Sequence, residues 1–194
     1  MGRAPRADAC RNRDRLLECA SAAFSRDGID ASLERIAKDA GVGIGTLYRN
    51  FANRDCLMEA VYRHNVDALE VDAEKIAANN TPGAALDEFM QRFVAYVATK
   101  KGLAMHLKTV LGSESELFVD SQQRLHAIVH RMVDAAIASG EVRPDTDADD
   151  LTRALAGVCM TSDMSVSQEQ PLRIAKLLMD GLRYGAPAST ASAG

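Results

Sequence analysis

Apolar side chains recur along this chain at intervals of three and four, the repeat of one face of an α-helix. Leu16, Leu17, Ala20, Ala23 and Phe24 form the first such stripe, predicting a helix over 11–26 that stops at Gly28. Ser32 stands where its hydroxyl can cap a short helix over 33–40, with Leu33, Ile36 and Ala37 inward, and Gly41 breaks that helix. A second short helix is expected over 44–49 with Leu47 inward, and Phe51 closes the segment.

The later stripes are longer. Leu57, Met58, Val61, Tyr62, Leu69, Ala73 and Ile76 predict a helix over 54–78, ended by Asn79 and Asn80. Thr81 is placed to cap the next helix, with Pro82 at its first position, where a missing N–H costs nothing. Its stripe is Leu86, Phe89, Met90, Phe93, Val94 and Val97, and a shorter segment over 103–111 precedes Gly112. Leu125, Ile128, Val129, Met132, Val133 and Ile137 repeat at helical spacing over 115–139, up to Gly140. Asp147 opens a further helix carrying Leu151, Leu155, Val158 and Cys159. A polar link over 161–169 leads to a last helix over 171–184, striped by Leu172, Ala175, Leu178, Met179 and Leu182. No segment alternates with the period of a strand, so the expected fold is all-α with about nine helices. The small, polar tail over 186–194 is expected to be disordered.

Composition narrows the core and the compartment. Trp is absent and aromatics are 5% of 194 residues, so Leu, Ala, Val, Ile and Met must fill the interior. No apolar run approaches the ~20 residues of a bilayer span, and the Arg-rich N-terminus lacks the apolar stretch of a secretion signal; the expected location is the cytoplasm, without membrane attachment. Cys10, Cys19, Cys56 and Cys159 are scattered, which suits reduced thiols used as small hydrophobes.

Charge divides the chain unevenly. Residues 1–64 hold eleven basic and nine acidic side chains, a net of +2, whereas the remaining 130 hold twelve and eighteen, a net of −6. A polyanion would meet the head and be repelled by the body. Arg3, Arg6, Arg11, Arg13 and Arg15 crowd the start, either as a solvated arm or as one that reaches phosphates or a minor groove.

Two short helices joined by a Gly-containing turn are the parts of a helix-turn-helix. Ala37, four residues before Gly41, lets the helices approach, and Leu47, six after it, pins the second against the first. That leaves Gly43, Gly45, Thr46, Tyr48, Arg49 and Asn50 to face outward, toward a major groove about 12 Å wide.

The run from Ser32 to Phe51 (SLERIAKDAGVGIGTLYRNF), followed by Ala52 to Leu57 (ANRDCL), resembles the DNA-binding segment of TetR-family transcriptional regulators. The likeness is strong over 16–57 and continues more weakly through the turn Gly140 to Asp145 and the acidic start of the next helix. The resemblance implies phosphate contacts from Tyr48 and Arg54, further backbone contacts from Thr46 and Ser32, and base reading by Gly43, Ile44, Gly45 and Arg49. Many members carry Ser-Lys or similar polar residues where this chain has Gly43-Ile44, and Lys where it has Arg54. Specificity is therefore expected to lean on Arg49, on contact of Ile44 with a thymine methyl, and on DNA shape.

The resemblance further implies a DNA-binding domain over 10–55 and a ligand-binding and dimerisation domain over 56–185. The partners would be a double-stranded, approximately palindromic operator, a second copy of the chain, and a small-molecule effector. The last two helices would form the dimer interface. Met90, Phe93, Met105, His106, Met132 and Met160 are adaptable or flat groups that could line an effector cavity, although such residues more often fill a core. The alternative is a helical adaptor or small-molecule carrier that does not bind DNA. No Ser–His–Asp or Cys–His arrangement suggests an enzyme, and no cofactor is expected. His126 and His130, four apart with Asp134 continuing their face, have a spacing that could hold a divalent metal. A solvated or interface face is the favoured reading, because no third helix supplies an evident partner, so no metal site is expected.

Overall fold

The computed structural model describes residues 5–161 and 169–183, with side chains from residue 11 onward except at 98, 99, 160 and 161. Among the described residues the chain is all-α, as expected, with no strand. Its helices are α1 (Pro5–Asp27), α2 (Leu33–Asp39), α3 (Ile44–Asn50), α4 (Arg54–Asn79), α5 (Pro82–Leu111), α6 (Glu116–Ala138), α7 (Ala148–Thr161) and α8 (Glu169–Arg183). The expected tail over 186–194 and most of the link over 161–169 lie outside the described residues.

The stops fall where the sequence marks them. Among the described residues Gly28, Gly41, Gly112 and Gly140 are the positive-φ glycines, with φ between 72° and 84°, and each follows a helix. Asn79 and Asn80 end α4 by donating their side-chain N–H groups to the carbonyls of Lys75 and Ile76. Asp147 caps α7, its Oδ1 accepting from the backbone N–H of Asp149 at 2.8 Å and Asp150 at 2.9 Å.

Two boundaries differ from expectation, and one cap gains a distant partner. The backbone is already helical from Pro5, so the arginine cluster is not simply an arm ahead of a helix beginning at 11; Arg3 lies outside the described residues. The segments expected on either side of Gly102 form one continuous α5, in which buried Leu103 and Leu107 offset the ~1 kcal/mol that an internal glycine costs. At the start of α5, Thr81 donates its hydroxyl to Glu141 Oε2 at 2.6 Å, and the Glu141 carboxylate also accepts from the Gly83 backbone N–H. The cap of this helix is therefore completed by a carboxylate from the α6–α7 turn.

The chain divides into two compact units. Unit 1 runs to Ala68 and adds Thr99–Ser121; unit 2 holds Leu69–Ala98 and the described residues from Gln122 onward. Leu16, Ile36, Leu47, Leu57 and Met58 are fully buried in the core of unit 1, and Leu103, Leu107, Leu117 and Phe118 belong to the same cluster. Lys100 Nζ donates to Ser21 Oγ at 2.7 Å and Ser25 Oγ at 2.9 Å, tying this stretch of α5 to α1, and burial pulls the ammonium pKa below its ordinary value. Unit 2 packs Leu86, Phe89, Met90, Ile128, Leu155 and Met179 into a second cluster. Arg183 closes it by pairing with Asp87 at 3.2 Å and donating to the Gly83 carbonyl.

Candidate nucleic-acid interface

The turn between α2 and α3 is dictated by hydrogen-bonding geometry. Gly41, at φ 72°, donates to the Lys38 carbonyl at 3.0 Å, and Val42 donates to the Ala37 carbonyl at 2.9 Å, so the last carbonyls of α2 are satisfied by the reversing chain. A side chain at 41 would need the left-handed backbone and would also meet the Arg15 guanidinium, 3.2 Å from an added Cβ. Ser32 caps α2 as expected: its Oγ accepts from Arg35 N–H at 3.2 Å and donates to Glu34 Oε2 at 2.9 Å.

α3 shows one residue to the core. Leu47 is fully buried, while Gly43, Ile44, Gly45, Tyr48, Arg49 and Asn50 are exposed and Thr46 is half-buried. Tyr48 keeps 49% of its surface, so its ring and hydroxyl are accessible to a partner. An added Cβ at Gly43 or Gly45 would have nothing within 4 Å, so both glycines present bare backbone outward. Arg49 folds along its own helix, donating to the Gly45 carbonyl at 3.2 Å and Thr46 Oγ1 at 2.9 Å, and Asn50 donates to the Thr46 carbonyl. These are local bonds at the surface, exchangeable for bonds to a ligand.

The sequence did not disclose the surroundings of this ridge. Arg13 stacks its guanidinium over the Phe51 ring, 4.7 Å from the centroid, so this member of the arginine cluster packs on the head. Arg54 is half-buried and gives both of its bonds from Nη1, to the carbonyls of Ile29 and Ala31 at 2.8 Å. It braces the α1–α2 turn against the start of α4, a structural task that the resemblance did not suggest and that only the fold reveals.

The expected effector residues are divided between the two units. Met90, Phe93 and Met132 are buried in the core cluster of unit 2. Met105 is 58% exposed on the part of α5 in unit 1, and His106 there meets Asp55 at 2.9 Å. The Met160 side chain lies outside the described residues. A cavity of about 250 Å³ in unit 2 is lined by other residues, among them Arg143, Asp147, Leu151, Ala154 and Leu182.

Comparison with known proteins supplies the family. The family of bacterial regulatory proteins, tetR family, matches residues 16–61, and the domain described as Transcriptional regulator SbtR-like, C-terminal domain, matches residues 81–184. The chain belongs to the TetR family of transcriptional regulators. A solved TetR regulator from Streptomyces coelicolor is 41% identical, covering 90% of this chain and 99% of its own, with a TM-score of 0.79. A second, from Mycobacterium vanbaalenii, is 31% identical over 92% of this chain and 98% of its own, with a TM-score of 0.75. An HTH-type transcriptional regulator of Staphylococcus aureus is 41% identical over 63 residues, 32% of this chain and 34% of that protein. The alignment thus spans about a third of the length of the curated relatives it matches. Like other TetR regulators the protein is a DNA-binding protein, and among its described residues no helix is long and apolar enough to cross a membrane.

Proposed function

We propose that the protein acts as a homodimeric, effector-responsive repressor that sets α3 of each copy into a major groove of an approximately palindromic operator. The observation that carries this is α3 itself: its buried face is Leu47, and its outward face is bare glycine backbone with exposed Tyr48, Arg49 and Asn50. In the TetR family that face reads DNA, and two-fold symmetry of a helix-turn-helix dimer sets half-site centres about one helical turn, ~34–36 Å, apart.

In this reading Tyr48 and Thr46 contact phosphates, Ser32 adds a contact at the α2 cap, and Arg54 holds the head rigid while its Nε and Nη2 remain for phosphate. Gly43 and Gly45 allow close approach of backbone to DNA, Ile44 meets a thymine methyl, and Arg49 releases Thr46 to reach a base edge. Asn50, bonded to the Thr46 carbonyl, supports the ridge. Dimerisation uses α7 and α8. Leu177 is 70% exposed on α8, Ile174 and Leu178 are half-buried, and an added Cβ at Gly157 or Gly181 would meet nothing within 4 Å, so a second helix pair can approach closely. An effector would act through its different affinities for the DNA-competent and incompetent dimers, commonly a coupling of ~1–3 kcal/mol.

A mobility shift on the DNA flanking the gene tests the proposal. The expected result is a retarded band for the wild type that is lost for Tyr48→Ala. Leu177→Asp should sediment as a single chain and bind the operator at least tenfold more weakly. A wild type that sediments as a monomer, or that binds no duplex, refutes the proposal.

A further inference from the structure

His126 and His130 are one helical turn apart, so α6 presents both imidazoles on the same face. A third group, invisible from their spacing, comes from the first turn of α7. Asp149 Oδ1 lies 2.8 Å from His130 Nε2 and in close contact with His126 Nε2, and the two Nε2 atoms are 3.2 Å apart. Asp134, expected to continue the face, is not part of this grouping; Asp149 takes its place.

We propose that His126, His130 and Asp149 form a binding site for a divalent transition-metal ion of the zinc, cobalt or nickel type. Three donor atoms, one per residue, lie within 4.8 Å of one another. Two imidazole nitrogens on a tetrahedral ion at 2.0–2.1 Å are separated by roughly 3.3 Å, close to the 3.2 Å found here. Protons serve this geometry poorly. Two Nε2–H groups aimed at one carboxylate oxygen crowd each other, and leaving one nitrogen bare sets its lone pair against those of the carboxylate. A single cation at the centre uses both nitrogen lone pairs and the carboxylate together.

The rest of the molecule makes the convergence specific. In unit 1 His106 meets Asp55 as one imidazole on one carboxylate, the ordinary arrangement of a surface pair. The cap of α7 is supplied by Asp147, so Asp149 has no capping duty to explain its position. Two imidazoles and one carboxylate suit zinc, cobalt, nickel or copper better than calcium or magnesium, which take all-oxygen shells. The site is partly exposed, so a fourth position is open to water or to an exogenous ligand. A bound ion would fasten α6 to the first turn of α7.

The proposal does not depend on DNA binding, and its test uses the full chain stripped with chelator and titrated with Co²⁺ and Zn²⁺ alone. The expected result is one equivalent of Co²⁺ per chain, visible d–d bands without a thiolate charge-transfer band, displacement by Zn²⁺, and a rise in Tm with Zn²⁺. His130→Ala and the milder Asp149→Asn should each weaken binding by tenfold or more, with helical circular dichroism unchanged, whereas His64→Ala should not. No saturable binding, binding that survives Asp149→Asn and His130→Ala together, or a thiolate band showing cysteine ligation would overturn the proposal.

Discussion

The two units bury similar material and expose different things. Both interiors are packed from Leu, Ile, Val, Met and Phe, and in both the largest side chains are fully covered. At the surface of unit 1, α3 offers glycine backbone and polar side chains whose bonds are short-range and exchangeable. At the surface of unit 2, α8 leaves Leu177 largely bare, and α6 with α7 gathers two imidazoles on one carboxylate. A face of bare amides and a guanidinium suits a hydrated polyanion, whereas an apolar ridge suits another protein surface. Interior packing makes both units stable; only the outward residues tell them apart.

The largest effect is expected inside unit 1. Leu47→Ala removes a fully buried side chain and should cost about 2–5 kcal/mol in urea unfolding. Hydrogen exchange should show the loss in amides of α1–α3 while those of α7 and α8 keep their protection. Equal loss in both units would mean that they unfold as one and are not separate cores.

Next in size are changes on the outward face of α3. Arg49→Ala should relax sequence preference by about 1–3 kcal/mol at one base position while leaving unfolding unchanged. Gly45→Ala has open space for its methyl and should stabilise the fold by roughly 0.5–1 kcal/mol, yet weaken operator binding if backbone approaches DNA there. Binding affinities at several salt concentrations, set beside unfolding curves, separate the two effects.

A smaller effect belongs to unit 2. An added Cβ at Gly83 would sit 2.7 Å from Glu141 Cβ, which cannot swing aside as a side-chain tip could. Gly83→Ala should therefore destabilise by about 1 kcal/mol, the crowding outweighing the helix propensity gained. The smallest effect concerns acid. Hydrogen bonds from Thr81 and from the Gly83 N–H hold the Glu141 carboxyl below its ordinary pKa. A lowered folded pKa means that the contribution is present above the unfolded value, about 4.3, and is lost as pH falls through the folded one. Glu141→Gln should thus show a shallower loss of Tm on acidification below pH 5 than the wild type.

Local signals were legible in the sequence and distant ones were not. The glycine stops, the caps at Ser32 and Asp147 and the buried Leu47 all follow from residues within one or two turns, where backbone geometry and helical period decide. The outward ridge from Gly43 to Asn50 was readable for the same reason. Glu141 at the start of α5, Lys100 on Ser21, Arg54 under the α1–α2 turn and Asp149 beside the histidines all bridge separate segments. Spacing along the chain carries no information about which turn will be folded against which helix. The expected effector lining shows the same limit: Met90 and Phe93 are on the same helix as Met105 and His106, but fall in a different unit.

The direct measurement is selection of bound sequences from random duplexes by the wild-type protein, repeated with Arg49→Ala. Outward-facing α3 predicts a two-fold symmetric motif with half-sites one turn apart, and loss of information at one position per half-site in the variant. Enrichment of no motif, or an identical motif from both proteins, would contradict it.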